Sequence, residues 1–301
     1  MSEIYSLGRS GNRELTVQVV RPAPAAAERT GTESGHAAGA VGQDCVVLYF
    51  HGGSFTEGSA AYAADQCGCL ARTLNMPVVV LDYALAPTHP FPAAIEDGLR
   101  ALDWLGSEAP RTSGLRVREV VLAGTEAGGN IAASVALLAQ DRPCMRRSSR
   151  RPALRAQILI SPLLDPCMTM AAQSSECTRG WRAYLPRLAD RTHPYASPLN
   201  SSRLTGMPPA LILTGSQDPQ RAEAERYSAK LIAAGVPVQA MRLASVMIPG
   251  PGPGAGAGAG AGAGNDSTTG GDALAPCAAR FDPSALTALA NFLTSPALNR
   301  S

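Results

Sequence analysis

The sequence predicts an α/β fold: a doubly wound, mostly parallel sheet of about eight strands with a small cap, in one domain covering 1–301. Three observations point there. Short continuous apolar runs such as CVVLYF (45–50) and PVVVLDY (77–83) read as strands buried on both faces. Stretches with apolar residues at helical spacing alternate with those runs. Glycine-rich turns, HGGSF, GTEAGG and GSQDP, stand where strands end, and open α/β sheets bind ligands at their strands' carboxyl ends.

Taken in order, RELTVQVVR (13–21) alternates like an edge strand, and a Pro/Ala/Gly-rich loop occupies 22–44. The strand at 45–50 is followed by a helix over 60–74, the strand at 77–83 and a helix over 93–106. VREVVLAG (117–124) is a strand, 128–140 a helix and ALRAQILISP (153–162) a strand. PALILTGSQD (209–218) is the next strand, then a helix over 221–234, a short strand near 236–243 and a last helix near 283–294. Residues 166–196 break the rhythm and read as an irregular cap or lid over the strand ends.

Composition narrows the function. With 301 residues, 45% hydrophobic and 17% charged, the chain has enough apolar material for a sizeable core. A net charge of +2 gives no sign of a nucleic-acid partner, and the cluster Arg146, Arg147, Arg150, Arg151 and Arg155 reads as a solvated loop. No apolar run is long enough to span a membrane, and the first residues lack the apolar core of a signal peptide. The seven cysteines are odd in number, and Cys67 and Cys69 have neither C-x-x-C spacing nor a following histidine pair. No metal site and no cofactor is expected, and a cytoplasmic location with reduced thiols follows. The expected partner is a small-molecule ligand or acyl ester at the strand carboxyl ends, and self-association as a homodimer stays open.

The element at 124–130, GTEAGGN, carries the chemistry. A strand-to-helix turn with small flanking residues holds its central residue in a strained conformation, and Gly124, Ala127 and Gly128 supply those residues around Glu126. Upstream, His51, Gly52, Gly53 and Ser54 open the HGGSF turn, whose backbone N–H groups can hold an anion.

With HGGSFTEGSA, VVVLDYALAPTHPFPAAIEDGLRALDWL, SPLLD, YASPL and LTGMPPALILTGSQDPQR, these blocks give the chain a close resemblance to the hormone-sensitive-lipase-like carboxylesterases, which have the α/β-hydrolase fold. The resemblance covers roughly residues 10–248 and 281–294. It implies a Ser–Asp–His triad, a cap, an oxyanion loop with donors on Gly53, Ser54 and Ala127, and hydrolysis of short acyl esters without cofactor. Carried over residue by residue, the nucleophilic serine falls on Glu126 and the triad acid on Asp218. The histidine should stand near MRLASVMIPG, where the chain has Ile248 and its neighbours, and no histidine follows His193. His51 and His89 match structural turns of the family, and His36 lies in the N-terminal loop. Ser54 lacks the elbow and a base, and the longer N-terminal cap helices of some members have no counterpart.

A glutamate at the apex places a carboxylate beside N–H donors at a helix N-terminus, an arrangement that favours a resident anion. Some α/β-hydrolases with a carboxylate nucleophile at this elbow use aspartate and a histidine that activates water, and here the apex is glutamate and no such histidine is visible. The expectation is a degenerate or ligand-binding homologue, defective as a serine hydrolase. The alternatives are a non-hydrolytic lyase or cyclase, or an unconventional ester hydrolase using Glu126. The plant gibberellin receptor and some plant cyclases and lyases resemble this family and do other work.

The tract PGPGPGAGAGAGAGAGNDSTTGGD (249–272) is low-complexity, and it cannot bury enough apolar area to offset its ordering entropy. It reads as a disordered, exposed loop. Deleting it is expected to change the unfolding free energy in urea by no more than about 1 kcal/mol, because loop length enters only logarithmically. A larger loss would show that the tract packs against the domain.

Overall fold

The computed structural model describes residues 2–22, 44–107, 109–112, 114–142, 151–171, 175–246 and 281–298. Most of the 22–44 loop, the Gly-Ala tract and Arg146, Arg147 and Arg150 lie outside these residues, as does position 248.

Eight strands form one sheet: β1 (Ser2–Ser10), β2 (Arg13–Val20), β3 (Cys45–Phe50), β4 (Val78–Leu81), β5 (Glu119–Thr125), β6 (Ala153–Ile160), β7 (Ala210–Gly215) and β8 (Val238–Leu243). Their spatial order is β1-β2-β4-β3-β5-β6-β7-β8. From β4 to β8 all neighbours are parallel, and β2 runs antiparallel to both β1 and β4. The helices are α1 (Ala60–Leu74), α2 (Ala93–Leu105), α3 (Ala109–Thr112), α4 (Ala127–Asp141), α5 (Pro166–Ala171), α6 (Ser175–Tyr184), α7 (Arg221–Ala233) and α8 (Pro283–Leu293).

The central strands are apolar throughout because both faces are covered. Val46, Leu48 and Phe50 of β3 join the cluster that includes α2, α4 and α7, while Cys45, Val47 and Tyr49 join the one under α1 and α8. Helix ends follow local chemistry. The Ser59 hydroxyl accepts from Tyr62 N at 3.2 Å to start α1, and Asn75, at φ 49°, closes it. Asp282 accepts from Ser284 N at 2.8 Å, and Pro283 follows at the first position of α8. Among the described residues no helix is long and apolar enough to cross a membrane.

Three sequence expectations are corrected. The N-terminal edge strand at 13–21 is an inner strand, since a hairpin adds β1 outside it. The two-residue connection Gly11-Asn12, with Gly11 at φ 62°, closes that hairpin. The irregular reading of 166–196 gives way to helices α5 and α6 and a 3-10 turn at Leu188–Thr192. Helices this short depend on packing rather than local propensity, and here Trp181 is fully buried with its indole N–H on Thr169 Oγ1 at 3.1 Å. Arg151 and Arg155 are not solvated. The Arg151 guanidinium reaches Asp103 at 2.8 Å and the Arg142 carbonyl at 2.6 Å beyond α4, and Arg155 pairs with Glu119 at 3.0 Å.

Two buried carboxylates tie distant segments together. Asp97 of α2 is fully buried and accepts from Ala84 N at 3.0 Å, from Ser10 Oγ at 2.7 Å and from the Arg13 guanidinium. It therefore fastens the β1–β2 hairpin and the chain after β4 to α2. Asp97→Ala leaves the Ala84 N–H and Arg13 Nη2 without their acceptor, Arg13 Nη1 keeping Asp82 O at 2.7 Å, and should cost about 3–5 kcal/mol in urea unfolding. A cost below about 1 kcal/mol would show that the hairpin is held by other contacts.

Glu223 of α7, 2% exposed, binds the chain that follows β6. Its Oε2 accepts from Leu164 N at 2.7 Å and Asp165 N at 3.0 Å, and its Oε1 from Thr169 Oγ1 at 2.6 Å. Burial, opposed by these hydrogen bonds, pushes its carboxyl up to about 7 from 4.5. A folded-state value above the unfolded one means that the protonated group stabilises the fold fully below about pH 4.5, and that this is lost as pH rises toward 7. Glu223→Gln should remove this decline between those two pH values, measured as Tm against pH. An unchanged slope would show that Glu223 is ionised throughout.

Candidate functional site

The site is built on a backbone too crowded for side chains. Between β5 and α4 the chain turns back so closely that a Cβ on Gly124 would lie 2.3 Å from Gly128 O. One on Gly128 would lie 2.1 Å from Phe50 O at the end of β3. Glycine is required at both, and the residue between them takes φ 52°, ψ −114°. That residue is Glu126. Its N–H donates to Ile160 O at 2.9 Å, and its carbonyl accepts from Leu163 N at 3.1 Å and Asn130 N at 3.2 Å. These bonds offset a backbone strain of about 1–3 kcal/mol. Ala127, fully buried, opens α4 directly after it.

Opposite this turn, the loop after β3 is equally constrained. Gly53 has φ 118° and a Cβ there would lie 2.3 Å from Glu57 O, while its carbonyl accepts from Thr56 N and Glu57 N at 3.0 and 2.9 Å. Ser54 and Phe55 follow at φ 49° and 67°. His51 is 3% exposed, its Nδ1–H meets the Gly52 carbonyl at 2.7 Å, and its ring stacks on Tyr83 at 4.2 Å. Burial lowers the imidazole's affinity for a proton, so His51 is a neutral wall of the loop.

The loop and the turn meet through the Glu126 side chain. Its Oε2 accepts from Gly53 N at 3.0 Å, and its Oε1 accepts from Ser54 Oγ at 2.7 Å. For Ser54 the contact is made by the hydroxyl. Cys177 of α6 adds a third donor, its thiol lying 3.5 Å from Oε1. Gln220 Nε2 in turn reaches Cys177 Sγ at 3.7 Å, and Gln220 N donates to Asp218 Oδ1 at 2.9 Å. Asp218 lies beyond the carboxyl end of β7 with its Oδ2 buried and without a hydrogen-bond partner among the described residues.

A pocket of about 500 Å³ opens beside this centre, lined by Gly52, Gly53 and Glu126 together with Glu57, Tyr62 and Ser161. The structure thus brings together the HGGSF turn and Glu126. It does not place Asp218 or His193 in this lining: His193 packs between the rings of Phe91 and Tyr195, each 5.2 Å away. Among the described residues no three His, Cys, Asp or Glu side chains gather as a metal-ligand set. Sequence reasoning missed Cys177 and Gln220, because neither stands in a motif and each arrives from a distant element.

Helix α6 closes over the loop. A Cβ on Gly180 would lie 2.1 Å from Ser54 O, and Tyr184 stacks on Phe55 at 4.2 Å with an interplanar angle of 2°. Trp181 lies 4.6 Å from the same Phe55 ring. The aromatic cluster fixes where Cys177 meets Glu126.

The chain is similar in sequence and in fold to known proteins. Esterase LipI of Mycobacterium tuberculosis is 37% identical over 206 residues, 64% of this chain and 62% of its own length. Gibberellin receptor GID1B of Arabidopsis thaliana is 32% identical over 192 residues, 58% of this chain and 51% of the receptor. The chain therefore spans less than two thirds of either relative. The solved hyperthermophilic esterase from the archaeon Pyrobaculum calidifontis superposes with a TM-score of 0.65 at 30% identity, covering 81% of this chain and 75% of that one. A model of the alpha/beta hydrolase fold family matches residues 47–248, the span that contains the β3 loop, the β5–α4 turn and the strand ends around them. The chain belongs to the alpha/beta hydrolase fold family.

Proposed function

We propose that this chain is a small-molecule-binding homologue of the esterases, defective in hydrolysis by a serine nucleophile. The observation that carries this reading is the contact between the Glu126 carboxylate and Gly53 N at 3.0 Å. An esterase uses such a donor to hold the negative charge of a tetrahedral intermediate. Here the chain's own carboxylate takes the donor in the ground state. A substrate carbonyl entering the loop must displace a charge held by Gly53, Ser54 and Cys177.

The second member of a hydrolytic pair is also missing from the sequence, which has no histidine after His193. The unpartnered Oδ2 of Asp218 agrees with an acid that has lost its imidazole. In serine-triad enzymes, losing one triad member removes about three to four decades of rate or more, and the losses are not additive. The retained pocket and the likeness to a protein named as a gibberellin receptor favour binding over turnover. Cys45, Cys67, Cys69 and Cys177 are buried and none forms a disulfide among the described residues, which fits a reducing, cytoplasmic setting.

The test is kcat/KM on p-nitrophenyl acetate for the wild type, Glu126→Ser and Glu126→Ala. All three should stay near the uncatalysed background. The serine variant gains a hydroxyl but no base to take its proton. Wild-type turnover at the level of an ordinary esterase, lost in Glu126→Ala, would overturn the reading and favour a hydrolase that uses the glutamate itself.

A further inference from the structure

Among the described residues the pocket beside Glu126 is lined by two carboxylates and no cationic side chain, and that constrains the charge of its occupant. Glu126 forms part of its floor and Glu57, exposed, its rim. The hydroxyls of Ser59, Thr125 and Ser161 and the Gln66 amide add neutral polar groups, and among the described residues no lysine or arginine joins the lining. Among the described residues neither carboxylate takes part in an ion pair. His51, 3% exposed, belongs to the same lining and does not supply the missing charge. Because its Nδ1–H is committed to Gly52 O at 2.7 Å, its Nε2 is an acceptor, and that atom is buried without a partner.

The donors on Glu126 leave capacity unused. A carboxylate oxygen accepts about two hydrogen bonds. Oε1 already receives Ser54 Oγ and the Cys177 thiol, whereas Oε2 receives Gly53 N. An occupant that brings N–H donors and positive charge satisfies Oε2 and neutralises the floor. An anion is repelled by both carboxylates, and a neutral alcohol can donate to Oε2 but brings no opposite charge. Tyr62, 42% exposed on the pocket wall, offers an aromatic ring to a cation.

We propose that this pocket binds an organic primary ammonium, with the ammonium on Glu126 Oε2 and the carbon chain along Tyr62 and Ile160. The assignment rests on the reading of the chain as a small-molecule-binding protein. It goes further by fixing the ligand's charge and chemical class.

Isothermal titration of the full chain with n-butylammonium, 1-butanol and butyrate tests it. Butylammonium should bind at least about tenfold more tightly than 1-butanol, butyrate should give no binding, and added salt should weaken the amine alone. Glu126→Gln keeps an acceptor and removes the charge, so it should cut amine affinity about tenfold. Glu57→Gln, at the exposed rim, should cost about twofold to threefold.

Equal affinity for amine and alcohol, no heat with any probe, or undiminished amine binding in Glu126→Gln would overturn the proposal. The wild-type comparison of amine with alcohol decides the matter even if Glu126→Gln does not fold. The same preparation is assayed with p-nitrophenyl acetate, which separates the two readings. Ester turnover together with amine preference overturns the non-hydrolytic reading alone, and absence of both overturns the ammonium site alone.

Discussion

The close approach of the β5–α4 turn to the end of β3 is the constraint on which the rest of the site depends. Gly128 lies so near Phe50 O, and Gly124 so near Gly128 O, that no side chain fits on either flank. With both glycines fixed, Glu126, the middle of the three residues between them, belongs to neither β5 nor α4, and it is held at φ 52° by hydrogen bonds to Ile160 and Leu163. The turn is therefore a rigid mount, and whatever side chain occupies its apex is presented to the loop after β3. In this chain the mount presents a carboxylate.

A carboxylate in that place changes the electrostatics of the centre. The α4 N-terminus, the Gly53 N–H and the Ser54 hydroxyl all favour negative charge, and the Glu126 carboxyl is the group that faces them. The loop's donors are taken by a side chain of the chain itself. The pocket floor becomes an acceptor surface. Strain collects around it: Ser54, Phe55, Glu126 and Ser161 all carry positive φ without being glycine.

Second-layer contacts hold this centre in register. The rings of Phe55, Trp181 and Tyr184 lock α6 over the loop and set the Cys177 thiol against Glu126. Glu223 binds Leu164, Asp165 and Thr169, so α7 and α5 move together with the chain leaving β6. That chain in turn pins Glu126 through Leu163 N. The centre is thus braced from β6, α6 and α7 as well as from its own turn.

Much of this was legible in the amino-acid order, because the signals are local. Runs such as CVVLYF announce strands covered on both faces, and the β5–α4 turn declares itself through glycines that only a crowded backbone demands. The same spacing placed Glu126 at its apex and facing HGGSF. The β1–β2 hairpin was also written locally, in Gly11-Asn12, but its strand is more polar and the outer pairing went unread. Tertiary structure alone decided what meets Glu126. Cys177 lies 51 residues away on a helix too short to be stable without the aromatic cluster, and Gln220 arrives from beyond β7. It also decided that Arg151 and Glu223 are structural ties rather than solvated charges. Burial and hydrogen-bond partners arise from chain segments that meet only when the sheet is assembled, and no local spacing encodes them.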